Sequence, residues 1–183
     1  TLVRCREEVE RLARLSSDLL VLAQSDAAVP LEHVADVDVR AVVGRVLLRF
    51  QPAADAGRVR LVADGDEAVV SGDERLLDRV VTNLVDNAVK NSPPGGEVRV
   101  TLASGREILL TVSDDGPGIP PEHLPHLFVR FFRGDPARQR GEGTGLGLAI
   151  AKAGAEAHHG RLEFVGNSPG ATFRLVLPVH GAH

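Results

Sequence analysis

The sequence has 183 residues, a length that suits one domain or one domain with an appendage. Hydrophobic residues make up 43% and charged residues 25%, so the chain can bury a core and a disordered chain is excluded. The formal net charge of −4 argues against an electrostatic grip on nucleic acid or acidic lipid. With six Phe, no Trp and no Tyr, the chain also has few platforms for stacking bases.

The single cysteine, Cys5, excludes an intrachain disulfide and a zinc site built from several cysteines. A reducing, cytoplasmic setting is therefore expected. No apolar run approaches the roughly 18 residues of a membrane-spanning helix, and Thr1 opens no signal peptide. Because the sequence contains no Met, we expect it to be a piece of a longer protein, which leaves a membrane anchor elsewhere open.

Residues 1–28 have the pattern of a charged amphipathic helix. Apolar residues recur at alternating three- and four-residue steps and form a seam of about three heptads. The seam residues are Leu2, Cys5, Val9, Leu12, Leu19 and Ala23. Because no Gly or Pro interrupts this segment, we expect a partner helix along the seam rather than a lone helix packed on the domain.

Residues 29–183 alternate between helical and strand patterns. Asp38 is the expected N-cap of one helix, which passes through Phe50, and Asp73 or Ser71 that of a second, which runs to about Asn91. Helices interleaved with mostly antiparallel strands predict an α+β fold, a two-layer sandwich with three helices on one sheet. The other predicted elements are strands at 58–63, 68–71, 97–103, 107–113, 162–165 and 172–177 and a third helix at 146–158.

The second helix of this part carries a polar wedge opposite its apolar side. At 100° per residue, Asn83, Asn87 and Lys90 fall within about 60° of one another. Asn is a poor helix former, but its carbonyl oxygen suits Mg²⁺ already bound to phosphates, and Lys supplies a charge for a phosphate. The apolar arc on the other side consists of Leu77, Val80, Val81, Leu84, Val85 and Ala88.

Two glycine motifs bracket a long segment rich in Gly, Pro and charge. The first, at 114–120, follows a strand; its glycines allow close approach to a flat ligand, and Asp114 can accept a hydrogen bond from an exocyclic amine such as that of adenine. The second, at 141–148, opens a helix, where backbone N–H groups can cradle an anion. A plain turn and a flexible linker are the alternatives for these two motifs.

Together and in this order, these segments resemble the ATP-binding domain of sensor histidine kinases, of the Bergerat-fold ATPase superfamily. Residues 83–90 resemble its N box, 114–119 its first glycine box, 127–133 its F box, and 143–150 its second glycine box. Residues 156–162 and 170–173 match the pattern that follows them. The resemblance implies a Bergerat-type sandwich at 29–183, with an ATP lid at about 119–143, and assigns 1–28 to the end of a dimerisation helix.

The resemblance also implies ATP and Mg²⁺ as ligands, with Asn83, Asn87 and Lys90 as catalytic residues and both Asn side chains at the metal. Asp114 accepts from the adenine amino group, Ile119 lines the adenine pocket, and the glycines of the second box offer N–H groups to the phosphates. The implied nucleotide-binding residues are Asp114, Gly116, Gly118, Ile119, Arg130, Phe131, Gly143, Thr144, Gly145, Leu146, Gly147 and Thr172.

The implied activity is transfer of the γ-phosphoryl group of ATP to a His of a dimerisation domain, for relay to an Asp of a response regulator receiver domain. The resemblance also implies a full-length homodimer anchored in the bacterial inner membrane, and nucleic acid is not expected as a partner. The His-Glu-Leu-Arg-like phosphoacceptor motif is absent, and His33 lacks its context. Departures from the pattern are Asn91 where an aromatic is frequent, Val129 for a usual Glu, and Glu142 for a common Gly.

Three alternatives stay open. An ATP hydrolase of the superfamily places a Glu where this chain has Asn83, and an amide cannot accept the proton of water. A serine kinase of the superfamily is less consistent with the leading helix and the F box. A degenerate, non-enzymatic interaction module is disfavoured by the intact motif residues.

Overall fold

The computed structural model of the protein describes residues 2–27, 31, 33–134, 144–167 and 169–179. Four α-helices and seven strands alternate along them. The helices are α1 (Leu2–Asp26), α2 (Val39–Gly57), α3 (Glu74–Asn91) and α4 (Gly147–Ala157), and a 3₁₀ helix covers Pro121–His126. The strands are β1 (Ala35–Asp38), β2 (Arg60–Gly65), β3 (Val69–Gly72), β4 (Glu97–Ser104), β5 (Glu107–Asp114), β6 (Arg161–Asn167) and β7 (Ala171–Pro178).

The main sheet has five strands in the order β2-β4-β5-β7-β6. Only β2 and β4 pair in parallel, while the other three pairs are antiparallel. The predicted α+β sandwich with a mixed, mostly antiparallel sheet is therefore confirmed. Strands β1 and β3 form a separate antiparallel pair. Strand β1 is not predicted from the sequence, because only one of its four side chains, Val37, is buried and its apolar pattern is weak.

The core lies between the main sheet and helices α2, α3 and α4. Alternate residues of the central strands are buried, as in Ile108, Leu110 and Val112 of β5. The predicted apolar arc of α3 is confirmed, since all six of its residues are buried. Each buried Leu or Val side chain of this arc contributes about 1.5–3 kcal/mol by leaving water, so this face fixes how α3 lies on the sheet. The polar wedge of α3 is thereby placed on the opposite side.

Two aspartates begin helices as predicted. Asp38 accepts a hydrogen bond from the backbone N of Ala41 at 3.0 Å, and Asp73, rather than Ser71, caps α3. A cap of this kind contributes about 1 kcal/mol. The start of α3 is also tied to the end of α4, because the backbone N–H of Asp73 donates to Nε2 of the buried His158 at 3.0 Å.

Helix α1 packs on the sandwich through residues beside the predicted seam. Leu22 is buried in an apolar cluster with Leu146 and Ile150, and Asp18 pairs with Arg79 of α3. All four seam residues with described side chains are exposed: Val9, Leu12 and Leu19 are 65%, 56% and 44% exposed, and Ala23 is exposed as well. Docking therefore leaves the seam facing solvent. Among the described residues, no helix is long and apolar enough to cross a membrane.

Candidate nucleotide site

The buried end of β5 places a carboxylate beside the start of β7. Asp114 is 3% exposed, and its Oδ1 accepts hydrogen bonds from the backbone N–H groups of Gly116 (2.8 Å) and Ala171 (3.2 Å). Both bonds end on the same oxygen, and within the described part of the chain no hydrogen bond reaches the second one, Oδ2. The carboxylate is thus fixed in orientation with one oxygen left to accept a hydrogen bond from a ligand.

Burial raises the pKa of Asp114 above its ordinary value, because the charged form loses hydration. The two backbone N–H groups oppose this shift, and the charge of Asp115 adds a smaller increase in the pKa. An ionisable side chain kept in an apolar setting at an energetic cost is typical of functional sites.

Two glycines allow the backbone to approach this carboxylate closely. A Cβ on Gly116 would lie 2.6 Å from Oδ1 of Asp114 and 2.7 Å from the backbone oxygen of Asn91. A Cβ on Gly170 would lie 2.3 Å from the backbone oxygen of Asp114. Real Cβ atoms do not come this near to backbone atoms, so both positions require glycine. The contact with Asn91 also brings the end of α3 against the first glycine box.

The polar wedge of α3 lies beside these elements. Asn83 and Asn87 are half-buried, and Lys90 is exposed and ion-paired with Asp86. Within the described residues, the buried Nδ2 of Asn83 has no hydrogen-bond partner. A buried donor without an acceptor costs about 1–3 kcal/mol, so this atom is suited to an acceptor supplied by a ligand. A Cβ on Gly147 would lie 3.3 Å from Oδ1 of Asn83, which places the wedge against the start of α4.

Asn91 contacts the wedge in an unexpected way. Its Nδ2 donates to the backbone oxygen of Asn87 at 2.8 Å and to the side-chain oxygen of Asn87 at 3.2 Å. An aromatic residue could not make these bonds, so the departure from the family pattern noted at this position restrains the Asn87 amide instead of simply removing a pocket wall.

The second glycine box is described from Thr144 onward; Gly143 and Glu142 lie outside the described residues. Oγ1 of Thr144 accepts from the backbone N of Leu146 at 3.4 Å, and the Leu146 side chain is fully buried. The Leu146 side chain therefore cannot contact a ligand. Gly145 has a left-handed φ of +71°, at the turn into α4.

The F box contacts the second glycine box through its backbone. Phe131 donates its backbone N–H to the Gly145 oxygen at 2.9 Å. Its φ of +63° is unusual for a bulky residue, and its side chain is 59% exposed. Arg130 beside it is exposed, and Val129, the departure from the usual Glu, is 51% exposed. The two boxes thus meet through their backbones, while the side chains of Val129, Arg130 and Phe131 remain at the surface.

Ile119, predicted to line the adenine pocket, and Thr172, implied to bind the nucleotide, both follow Asp114 in the chain, Ile119 in the adjoining loop and Thr172 on the neighbouring strand β7. Ile119 is half-buried and packs on the core, and Thr172 pairs with Ser113 on neighbouring strands. Gly118 precedes Ile119 with a φ of +73°, which glycine adopts readily.

Two residues of this region, Gly170 and Asn167, have contacts at the site that the motifs did not predict. The fit of Gly170 against Asp114 was within reach of the sequence, because Gly170 belongs to a quoted motif. Asn167 hydrogen-bonds the backbone of Ile119, 48 residues away, and no local pattern signals such a contact.

The donors and acceptors present suit a magnesium–nucleotide complex. Amide oxygens are accepted Mg²⁺ ligands, the unpartnered Nδ2 of Asn83 suits a phosphate oxygen, and Oδ2 of Asp114 can accept from an amine. No group of three or more His, Cys, Asp or Glu side chains within the described ranges could hold a metal by itself.

Fold and site together are those of an ATP-binding sandwich domain. Residues 72–181 match the family described as histidine kinase-, DNA gyrase B-, and HSP90-like ATPase, and the chain belongs to this family. Sensor histidine kinase CusS of Escherichia coli O157:H7 is 42% identical over 178 residues, which are 96% of this chain and 37% of CusS. The chain thus spans little more than a third of that relative's length.

Solved structures agree with this assignment. The mycobacterial sensor histidine kinase MprB has a TM-score of 0.71 at 37% identity, with 80% of this chain and 99% of that chain covered. Full-length ShkA in complex with AMPPNP has a TM-score of 0.83 at 26% identity, with 97% of this chain and 38% of that one covered. The resemblance to the ATP-binding domain of sensor histidine kinases is confirmed.

Proposed function

We propose that the chain is the catalytic part of a sensor kinase that binds Mg-ATP and transfers the γ-phosphoryl group to a His of a dimerisation domain. The carrying observation is the buried Asp114, held on Oδ1 by two backbone N–H groups with Oδ2 available. This arrangement suits the amino group of adenine. Relay of the phosphoryl group to an Asp of a response regulator completes the proposed pathway.

The adenine end of the site is proposed to be formed by the first glycine box. Asp114 accepts from the adenine amino group, Gly116 and Gly118 let the backbone approach the ring, and Ile119 packs on it. Thr172, on the strand beside Asp114, completes this end. Affinity for adenine would come from one directional hydrogen bond in a partly apolar pocket.

The phosphate end is proposed to lie between α3 and the start of α4. Asn87 and Asn83 would hold Mg²⁺ and phosphate oxygens, and Lys90 would contact phosphates by exchanging its ion pair with Asp86. The N–H groups from Gly143 to Gly147, including those of Thr144, Gly145 and Leu146, would receive the distal phosphates. Bound Mg²⁺ would neutralise charge on the transferring phosphoryl group, a reaction that needs mainly positioning and charge compensation.

Water activation by the route of the superfamily's hydrolases is disfavoured. It requires a proton acceptor where this chain has Asn83, whose amide cannot take a proton. Among the described residues, the buried Nδ2 donor of Asn83 also has no hydrogen-bond partner, which suits a phosphate oxygen and not a water to be deprotonated. Phosphoryl transfer to a protein side chain is therefore favoured over hydrolysis.

The domain arrangement is part of the proposal. Residues 1–28 are the end of a dimerisation helix, 29–183 form the catalytic domain, and about 119–143, with Arg130 and Phe131, form its lid. The largely exposed seam on α1 supports a partner helix in a homodimer. We place this part of the kinase in the cytoplasm, with an inner-membrane anchor supplied by segments outside this sequence.

Calorimetric titration with a non-hydrolysable ATP analogue, with and without Mg²⁺, tests the proposal. Saturable binding that Mg²⁺ strengthens is expected. Asn87→Ala should remove the Mg²⁺ dependence, whereas Gln51→Ala, which removes an amide bonded to Asp55 on α2, should not. No binding by the unmodified chain would favour a degenerate module instead.

A second test concerns the phosphoacceptor. Incubated alone with ATP, the chain should form no acid-labile phosphohistidine, because the phosphoacceptor motif is absent. Detection of such a product would show that the acceptor has been misplaced.

A further inference from the structure

The connection from β6 to β7 holds the first glycine box at two points. At one point, the start of β7 bonds Asp114: the backbone N–H of Ala171 donates to its Oδ1, and that of Gly170 donates to its backbone oxygen at 3.1 Å. At the other, Asn167, the last residue of β6, bonds Ile119. Asn167 at one end, and Gly170 and Ala171 at the other, thus hold the two ends of the segment from Asp114 to Ile119.

The bonds from Asn167 to Ile119 are reciprocal. Its Oδ1 accepts from the backbone N–H of Ile119 at 2.9 Å, and its Nδ2 donates to the backbone oxygen of Ile119 at 3.0 Å. An amide side chain can satisfy both groups of one residue because it carries a donor and an acceptor side by side. Asp, Ser and Ala each lack at least one part of this pairing.

Gly118 is shaped to fit the same amide. A Cβ at this position would lie 2.7 Å from Cγ of Asn167, and the φ of +73° already disfavours other residues. The Asn167 amide therefore occupies the space that a side chain at Gly118 would fill. Turn and amide match each other in both conformation and hydrogen bonding.

We propose that Asn167 is a positioning residue that sets the distance between Ile119 and Asp114, and so the width of the adenine pocket; this inference rests on the proposed function. Asp114 is held by the sheet itself, but Ile119 follows two glycines and a proline in a loop. Without the clamp, Ile119 would sample several positions, and ordering it would oppose nucleotide binding.

The test measures ADP affinity by calorimetry for the unmodified chain, Asn167→Ala, Ile119→Ala and the double variant. Asn167→Ala should bind ADP about fivefold more weakly, as expected for two solvent-exposed hydrogen bonds. Because Asn167 acts through Ile119, the double variant should bind no more weakly than Ile119→Ala alone. Val165→Ala, two residues earlier on β6 with its side chain 47% exposed, is the matched control and should keep the original affinity.

Hydrogen exchange of the Ile119 amide gives a readout that needs no nucleotide. Exchange should be several-fold faster in Asn167→Ala and unchanged in Val165→Ala. Unchanged ADP affinity in Asn167→Ala, or additive losses in the double variant, would overturn the inference. If the unmodified chain binds no ADP, the proposed function fails. Slow exchange of the Ile119 amide that depends on Asn167 would in that case show a clamp with a structural role alone, and the positioning role would be overturned as well.

Discussion

Replacing Asp114 by Asn separates nucleotide recognition from folding. The Asn side chain has the same shape, and its single oxygen can still accept from the backbone N–H groups of Gly116 and Ala171. Its Nδ2 would stand where Oδ2 stands now. An amide donor would then face the adenine amino group, which is itself a donor, so the variant should fold normally and bind adenine nucleotides poorly.

The magnitude follows from the bond that is lost. A hydrogen bond to a charged group contributes about 1.5–3 kcal/mol, which corresponds to roughly 10- to 150-fold weaker binding. Stability should change the other way. The pKa of Asp114 is raised by burial, so its charged form is disfavoured in the folded state, and the associated stability is present below pH 3.8 and lost as pH rises through the folded-state pKa. Asn carries no charge to desolvate, so the variant should be no less stable at pH 7.

Calorimetric titration with ADP and urea denaturation at pH 7 and pH 4 measure the two effects. Asp115→Asn is the matched control, because it removes the same charge one residue further on, where the carboxylate accepts from the backbone N of Glu97. The stability advantage of Asp114→Asn over the unmodified chain should shrink towards pH 4. Unaltered ADP affinity in Asp114→Asn, or equal losses in both variants, would refute the adenine assignment.

Three further outcomes are expected. Burial lowers the pKa of His158, so its contribution to stability is complete above pH 6.5 and is lost as the pH falls through the folded-state pKa. Urea denaturation at pH 7 and pH 5 should therefore show that the stability of His158→Gln depends less on pH than that of the unmodified chain. An equal pH dependence in the two would contradict this. Leu22→Ala should weaken the docking of α1 on the sandwich by about 2 kcal/mol, measured as roughly 30-fold faster amide exchange in α1. An equal acceleration in Leu19→Ala, whose side chain is more exposed, would argue against the docking contact. Gly170→Ala would bring a Cβ to 2.3 Å from the backbone oxygen of Asp114, the last residue of β5, and should lower the melting temperature and abolish ADP binding. Gly44→Ala, whose Cβ would have nothing within 4 Å, should do neither. Normal ADP binding by Gly170→Ala would show that the pocket tolerates the added Cβ.

Local physics made much of the fold predictable. The apolar arc of α3 has a 3.6-residue period, and its N-cap, Asp73, bonds backbone groups two and three residues away, so both signals lie within one short stretch of sequence. Strands β4 and β5, and likewise β6 and β7, are neighbours in sequence and pair with each other, so their pairing was also predictable from local signals. The motif order likewise identified the family and marked Asp114 and the Asn wedge as candidates.

Only the tertiary structure determined the contacts between segments that are far apart in the sequence. The parallel pairing of β2 with β4 and the exposure of the α1 seam after Leu22 docks depend on which elements meet, and no residue pattern encodes that. The same holds for Nδ2 of Asn83, which has no partner within the described part of the chain. The clamp from Asn167 to Ile119 joins residues 48 positions apart by two hydrogen bonds. Hydrophobic period and capping act within a few residues, whereas these contacts exist only after the whole core has packed.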